Sequence, residues 1–344
     1  MYSLASYSKI IEKFKKKNIL VIGDVILDQY IQGSVSRISP EAPVPVVVEQ
    51  NRFYTPGGAA NVAQNLKALG AEVVLVSRIG DDLEGRILKE ELKKKGVVIE
   101  SLFVDKNLPT ITKVRVLAQH QQIVRIDREK TDELVDKKLF EKICQFIKKH
   151  ILEFDGIIIS DYGKGLITPE LVNFVCSLAI QNKKIITVDP KVEHFNYYRQ
   201  VTSITPNLKE AENAIRNIKI TAHAPQELGI RTEKLKTDDD VDLAGKELLK
   251  YLDLESLLIT LGERGMRLFE RGQTPVHIST KAKEVYDVTG AGDAVISAFT
   301  LSLTAGANKQ QAAEISNFAA GVVVGKLGAA TVTAKELVTA IKEY

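Results

Sequence analysis

Only two cysteines, Cys144 and Cys176, occur in the 344 residues, and neither belongs to a Cys-x-x-Cys or Cys/His ligand spacing. A disulfide framework and a zinc site are both unexpected. The five histidines are scattered and form no His-Glu-x-x-His string, which removes the commonest hydrolytic metal motif. No apolar run reaches the ~18 residues that a bilayer-spanning helix needs. The amino-terminal stretch is polar and Ser-containing and leads into the lysines of 13–17 without an apolar h-region, so a secretory signal is not expected and the cytoplasm is the default. The formal net charge is +3, which argues against a dedicated nucleic-acid binder, and Lys15, Lys16 and Lys17 read as a solvated helix end. Two nucleotide fingerprints are also missing. Without Gly-x-x-x-x-Gly-Lys-Ser/Thr, or Gly-x-Gly-x-x-Gly after the first strand, a P-loop ATPase and a dinucleotide oxidoreductase both lose support.

What is present is an ordinary globular composition, 44% hydrophobic and 26% charged, with ample material for a buried core. The run Ile19-Leu20-Val21-Ile22-Gly23 reads as the central first strand of a parallel sheet, followed by a second run through Ile26 and Leu27. Strand-like runs at 30–34 and 44–48 flank the loop Ser39-Pro40-Glu41-Ala42-Pro43 and suggest a small β excursion over the main sheet. From Gly58 onward, Ala60, Val62, Ala63, Leu66 and Leu69 recur at helical spacing until Gly70. Alternation then continues with strands at 73–76, 113–117, 123–126, Gly156–Ser160, 184–189, 203–205 and 256–261. Helices are expected over 83–95, over 135–149, and after Thr168 as N-cap with Pro169 at the first position. A strand-like piece at 284–286 precedes three final helices over 293–305, 309–326 and 334–343. The polar segment 217–242 reads as a surface loop or variable helix. Such alternation predicts an α/β fold, doubly wound, with a mostly parallel sheet and helices on both faces.

Five constellations could carry chemistry. In Asp287-Val288-Thr289-Gly290-Ala291-Gly292-Asp293, small residues leave amides open at a helix start, where the positive dipole end stabilises an anion. Asp293 could there deprotonate an attacking hydroxyl, although in isolation such an Asp is more often a helix N-cap. Pro56-Gly57-Gly58-Ala59-Ala60-Asn61 reads as a second Gly-rich turn opening a helix, with Asn61 able to bind hydroxyls or Gly57 and Gly58 simply allowing close packing. Asp24 and Asp28 follow the first strand, at the edge where open α/β sheets bind ligands, and a turn role suits Asp28 better than Asp24. Asp161, Lys164, Asp189 and Lys191 likewise follow strands, each with a solvated loop charge as its alternative. Asn207-Leu208-Lys209-Glu210 fits either a capping box or a carboxylate that holds Mg²⁺ through water.

Taken together, Gly57-Gly58-Ala59-Ala60-Asn61-Val62-Ala63, with Gly70 and Gly80, and the string 287–293 resemble the two signatures of the ribokinase-like (pfkB) carbohydrate kinases. The resemblance runs from Ile19 to the last helix. It implies one kinase domain over 1–344, a β lid formed by about 30–55 and 112–127, and ATP along the carboxyl edge of the sheet. It makes Asp293 the base and the amides of Gly290, Ala291 and Gly292 an anion hole. Asp24, Gly57, Gly58, Asn61 and Asp189 would hold the sugar. Asn207, Leu208, Lys209 and Glu210, with Thr260, Gly262, Asn317 and Gly321, would form the nucleotide site, Glu210 acting on Mg²⁺ through water. Asp287 and Thr289 match positions associated with a monovalent cation such as K⁺.

Within the family, the string Arg37 to Val46, the segment 113–117 with Gln121 and Gln122, and Ser160-Asp161-Tyr162-Gly163-Lys164-Gly165 are similar to D-glycero-β-D-manno-heptose 7-phosphate kinases. That likeness implies phosphorylation of the anomeric hydroxyl to the 1,7-bisphosphate, on the route to ADP-heptose and lipopolysaccharide core. The sugar phosphate would need cations, for which Arg115, Lys164 and Lys191 are candidates. A C-terminal nucleotidyltransferase domain is not expected, so a separate phosphatase and adenylyltransferase would act downstream. Exposed lid strands suggest a homodimer. The alternatives are a kinase for another sugar or a nucleoside, and a catalytically silent sugar- or nucleotide-binding regulator on the same scaffold.

Overall fold

The continuous apolar run near the start of the chain is a strand with no polar side, because it is covered on both faces. In the computed structural model, which describes residues 2–119, 121–130, 136–221, 234–282 and 284–344, β1 (Asn18–Gly23) has Ile19 to Ile22 fully buried. Before it, α1 (Leu4–Ile11) is capped by the Ser3 side chain and buries Tyr7, Ile10 and Ile11. The polar look of this stretch conceals a helix whose apolar residues fall on one face.

Two long strands follow, β2 (Val25–Ile38) and β3 (Pro45–Gly58), and they pair antiparallel. They overlap the short runs expected at 30–34 and 44–48 and extend well beyond them, because a two-stranded excursion gains ladder hydrogen bonds along its whole length. Gly57 and Gly58 are therefore the end of a strand and not a turn. Gly58, at φ 61°, feeds directly into α2 (Ala59–Ala68), a left-handed conformation that favours glycine. Next come β4 (Glu72–Gly80), α3 (Leu83–Lys94), β5 (Leu102–Asp105), β6 (Thr112–Ala118), β7 (Gln121–Arg128), α4 (Lys137–His150) and β8 (Gly156–Ser160). Thr168 caps α5 (Pro169–Gln181) by accepting from the Leu171 amide, with Pro169 at the first position.

The chain then runs through β9 (Ile185–Asp189), β10 (Ser203–Ile204), α6 (Leu208–Thr221) and α7 (Asp238–Tyr251). Of the polar segment 217–242, residues 222–233 lie outside the described residues, and both described ends are helical. The expected strand at 256–261 is β11 (Ser256–Thr260). After it comes a hairpin that the sequence reading lacks, β12 (Met266–Glu270) and β13 (Val276–Ile278). Conversely, 284–286 is no strand. The Tyr286 and Asp287 amides both donate to the Val324 carbonyl, at 2.8 and 3.2 Å, and so pin this segment to a helix end. The last helices are α8 (Ala291–Thr304), α9 (Lys309–Val324) and α10 (Ala334–Lys342).

The main sheet has nine strands in the order β13-β12-β11-β10-β9-β8-β1-β4-β5, parallel except for the edge hairpin. From β1 the chain first builds outward through β4 and β5, then returns to β8 on the other side and builds through β9, β10 and β11. That reversal makes β1 and β8 the topological switch point, and a crevice opens beyond their carboxyl ends. The second sheet, in the order β3-β2-β6-β7, leaves the main sheet at the same place, since β2 begins two residues after β1 ends. Helix α8, buried along nearly its whole length, points its amino terminus into this crevice and packs against α2 and α9. Two of its interior hydroxyls bond within the helix, Ser297 donating to the Asp293 carbonyl at 2.6 Å and Thr300 to the Ile296 carbonyl at 2.7 Å.

Candidate active site

The tight entry into α8 fixes the geometry of its first turn. Gly290 caps the helix at φ 80° with no side-chain cap, and the open space beside Gly292 lets a ligand approach the backbone closely. Asp293 lies in the first turn and does not cap it. Its carboxylate is buried, 7% exposed, and accepts from Asn61 Nδ2 at 2.5 Å and from the Tyr162 hydroxyl at 2.8 Å. The N-cap alternative for Asp293 therefore fails on geometry. Burial raises its carboxyl to about 6, the Asn61 and Tyr162 donors pull it back down, and Asp28 nearby pushes it up. A base that titrates near neutrality inside a crevice is suited to proton transfer. The Tyr162 phenol is half-buried and beside negative charge, and the loss of solvent and those charges hold it well above its ordinary value and keep it a donor.

Asp24 plays a different part from the one its position suggests. Its oxygens accept the amides of Tyr162 at 3.2 Å, Lys164 at 3.0 Å and Leu166 at 3.3 Å. Burial and the neighbouring Asp161 raise its carboxyl to about 6 against the pull of those amides. With both oxygens engaged, Asp24 shapes the loop after β8 and thereby places Tyr162 on Asp293. Asp161 steadies the same loop from the other side, accepting from Gly163 N at 2.7 Å, the Tyr198 hydroxyl, and His194 Nδ1 at 2.7 Å. Tyr162 is named above only within the string 160–165, with no role, and His194 and Tyr198 are not named at all. Tyr162 had a signal, standing between Asp161 and Gly163 immediately after a strand, whereas His194 and Tyr198 sit in an irregular stretch with no recognisable spacing.

Two cavities meet at the α8 amino terminus. One, of about 700 Å³, is lined by Asp189, Lys191, Asn207 to Glu210, Gly290 to Gly292 and Asp293, among others. The other, of about 510 Å³, is largely apolar, with Val285, Val295, Asn317, Ala320 and Gly321 on its wall. Thr260, Gly262, Val288, Ala291 and Gly292 line both, so the two form one continuous groove. The residues assigned to the nucleotide are thus divided. Thr260 and Gly262 stand at the junction, Asn317 and Gly321 in the apolar end, and Asn207 to Glu210 in the polar end with Asp293. Asn317 Nδ2 donates to the Ser279 carbonyl at 2.7 Å, and Gly321 lets the 281–282 backbone lie against α9, where a Cβ would stand 3.1 Å from Lys281.

Asn207 and Glu210 form a reciprocal capping box, the Asn207 amide on Glu210 Oε2 at 2.8 Å and the Glu210 amide on Asn207 Oδ1 at 2.9 Å. This leaves Glu210 Oε1 without a hydrogen bond from that box. Burial raises the Glu210 carboxyl against the pull of Asn207 and Lys191. Asp189 is raised well above its ordinary value by burial and by the charges of Asp293, Glu210 and Asp161. Among the described residues no cluster of three or more His, Cys, Asp or Glu side chains could hold a metal ion by itself. Single carboxylates crowded around a polar cavity do fit a Mg²⁺ that keeps waters and takes its other ligands from phosphates.

The three candidate phosphate cations have different partners. Lys191 lines the polar cavity beside Glu210 and approaches Glu193 at 3.6 Å. Arg115, on β6, pairs with Asp28 at 2.5 Å and lies over the Tyr30 ring, 5.3 Å from its centroid. Lys164 pairs with Glu129 at 2.7 Å. At the mouth of α8, Asp287 accepts from the amides of Thr289 at 2.9 Å and Gly328 at 3.0 Å. Although burial opposes it, these bonds hold the Asp287 carboxyl below its ordinary value and so keep it ionised. Ala291, one of the three anion-hole residues, has its amide 3.3 Å from the Val288 carbonyl, a long bond that a ligand oxygen could displace.

The fold matches solved sugar kinases closely. Arabidopsis thaliana ribokinase complexed with ribose and ATP superposes with a TM-score of 0.72 at 19% identity, covering 95% of this chain and 99% of that one. Phosphofructokinase-2 from Escherichia coli in complex with potassium gives a TM-score of 0.74 at 16% identity, with coverage of 95% and 99%. In sequence, the chain is 43% identical to the bifunctional protein HldE of Psychromonas ingrahamii over 96% of its length and 64% of the relative's. It is 41% identical to HldE of Helicobacter pylori strain J99 over 93% of its length and 65% of the relative's. The chain thus spans somewhat less than two thirds of these relatives. Residues 16–336 match the family profile of the pfkB family carbohydrate kinases, and the chain belongs to that family.

Proposed function

We propose that this protein transfers the γ-phosphoryl group of ATP to the anomeric hydroxyl of D-glycero-β-D-manno-heptose 7-phosphate, giving the 1,7-bisphosphate used in ADP-heptose and lipopolysaccharide core synthesis. The observation that carries the kinase chemistry is the Asp293 carboxylate, buried at the α8 amino terminus where the two cavities join. The choice of heptose rests on the likeness to the HldE proteins over nearly the whole chain and on the lid and loop segments they resemble.

In this reading the adenine occupies the apolar cavity and the phosphates reach the α8 amino terminus. Asp293 takes the proton of the anomeric hydroxyl as its oxygen attacks the γ-phosphorus. The bond to the bridging β–γ oxygen breaks and ADP leaves. Asn61 and Tyr162 hold the carboxylate in place, and the amides of Gly290 to Gly292, at the positive end of the helix dipole, balance charge on the transferring group. Most of the rate comes from such positioning and charge stabilisation. Mg²⁺, held through water by Glu210, would neutralise phosphate charge. Gly57, Gly58 and Asn61 border the sugar, with Asp189 facing it across the cavity and Asp24 acting through the loop it shapes. Asp287 and Thr289 are proposed to lie by a K⁺ site, a reading supported by the ionised, amide-clamped Asp287.

A homodimer through the second sheet, a cytoplasmic location, and downstream phosphatase and adenylyltransferase steps complete the proposal. Among the described residues no helix is long and apolar enough to cross a membrane. The test is ADP release with heptose 7-phosphate, ribose and fructose 6-phosphate as acceptors. Heptose 7-phosphate is expected to give the highest kcat/KM, and preference for unphosphorylated ribose would defeat the heptose reading.

A further inference from the structure

The inner face of the second sheet carries a lysine that no hydrogen bond or ion pair among the described residues engages. The pairing registers place Lys113, on β6, directly opposite Asp28 on β2 and Asp127 on β7. Residues opposite one another in a sheet project to the same face, so Lys113 is flanked by two carboxylates. Both are committed elsewhere. Asp28 pairs with Arg115, and Asp127 takes the Arg125 guanidinium in a two-pronged bridge at 2.8 and 3.0 Å. Lys164, which approaches from the loop after β8, pairs with Glu129. Lys113 alone of this basic group has no hydrogen bond or ion pair among the described residues.

The face that bears it is the one turned to the crevice. Arg115, two residues along the same strand, is close enough to Asp287 to help keep that carboxylate ionised, and Asp28 is close enough to Asp293 to raise it. The Lys113 ammonium is half-buried, and burial lowers its proton affinity against the pull of Asp28 and Asp127, with Lys164 and Arg125 adding repulsion. A desolvated cation among other cations, with its nearest carboxylates already taken, is a site short of an anion.

We propose that Lys113 anchors the phosphate of the sugar substrate, with Lys164 as its neighbour across the crevice, and so sets the preference for phosphorylated sugars. The role of Arg115 is then structural, holding Asp28 and stacking on Tyr30. This inference rests on the sugar phosphate kinase reading given above for its ligand. The basic face in turn explains how a sugar would be held by its far end while its reacting hydroxyl meets Asp293.

The test compares the wild type with Lys113→Met and Lys113→Arg in steady-state assays. With heptose 7-phosphate, Lys113→Met should raise KM about ten- to a hundredfold, the loss of one charge-assisted hydrogen-bonding group. Its kcat, its KM for ATP and its slow turnover of the unphosphorylated heptose should stay as in the wild type. Lys113→Arg should recover most of the loss. An equal fall for phosphorylated and unphosphorylated sugar, or no change for either, overturns the proposal. Should heptose 7-phosphate prove no substrate at all, the functional reading fails, yet the site itself is still judged by chemical labelling. Inorganic phosphate at millimolar concentration should protect Lys113 of the wild type from amine acylation, read by peptide mass, whereas chloride at equal ionic strength should not. Equal labelling in both salts overturns the anion site.

Discussion

At the scale of single residues, the decisive contacts join three side chains far apart in sequence. Tyr162 and Asn61 hold the two oxygens of Asp293, and each lowers its proton affinity by donating a hydrogen bond. Replacing Tyr162 with Phe removes one donor and lets burial raise the carboxyl further above about 6. A base must be unprotonated to act, so the acid limb of the kcat/KM profile should move to higher pH in Tyr162→Phe, with the KM for ATP unchanged. An unmoved limb would deny Tyr162 this positioning role. Asp293→Asn should lower kcat by about 10²–10⁴-fold while the protein remains folded and binds ATP, as titration calorimetry can check. Asp293 was singled out in the sequence only once its Gly-rich string was joined to the Gly57 to Asn61 turn and the Asn207 to Glu210 element in a family resemblance, since alone such an Asp is more often a helix N-cap. The bond from Tyr162 to Asp293 was not legible, because a tyrosine advertises its partner only when the fold brings strand ends together. Asp24 was read as a sugar ligand from its place after the first strand, and only the loop amides around it reveal its structural work.

At the scale of elements, the strands of the main sheet were read well where burial on both faces produced unbroken apolar runs, as in β1 and β8. Reading failed where local pattern and tertiary pairing disagree. The piece at 284–286 has β-favouring residues, yet its amides are used by the end of α9. The β12–β13 hairpin is short, buries Met266 and Leu268 on one face and Phe269 on the other, and lacks a tight-turn signature. Helix α8 depends on the glycine at its start. A Cβ on Gly290 would stand 2.9 Å from Asn61 Nδ2 and would have to adopt φ 80°. Gly290→Ala should therefore cost about 1–2 kcal/mol of stability from the backbone alone, measured as a lower urea midpoint. It should also reduce kcat, because displacing Asn61 releases one oxygen of Asp293. A variant with normal kcat would show that the Asn61 contact is dispensable.

At the scale of the whole molecule, the sequence named the residues of the site but not their grouping, because the grouping follows from the order of strands. Once β1 and β8 are neighbours, the loops after them face each other, and residues 24, 161–166 and 293 converge without any regular spacing. The same topology leaves the second sheet with β3 and β7 as open edges. On its outer face Val124 and Ile126 are 45% and 55% exposed. Edges that are neither covered nor shortened, next to exposed apolar side chains, favour pairing with a second copy over standing alone in water. A self-complementary interface of this kind closes as a dimer. Sedimentation at micromolar concentration should therefore give a dimer for the wild type and a monomer for the double variant Val124→Lys and Ile126→Lys. Asp293, Asn61 and Tyr162 all come from one chain, so the chemical step should survive in that monomer. Any loss should fall on the KM for the sugar, whose proposed binding face is the reverse side of the same sheet. A wild type that sediments as a monomer, or a variant that stays dimeric, would remove the second sheet as the interface.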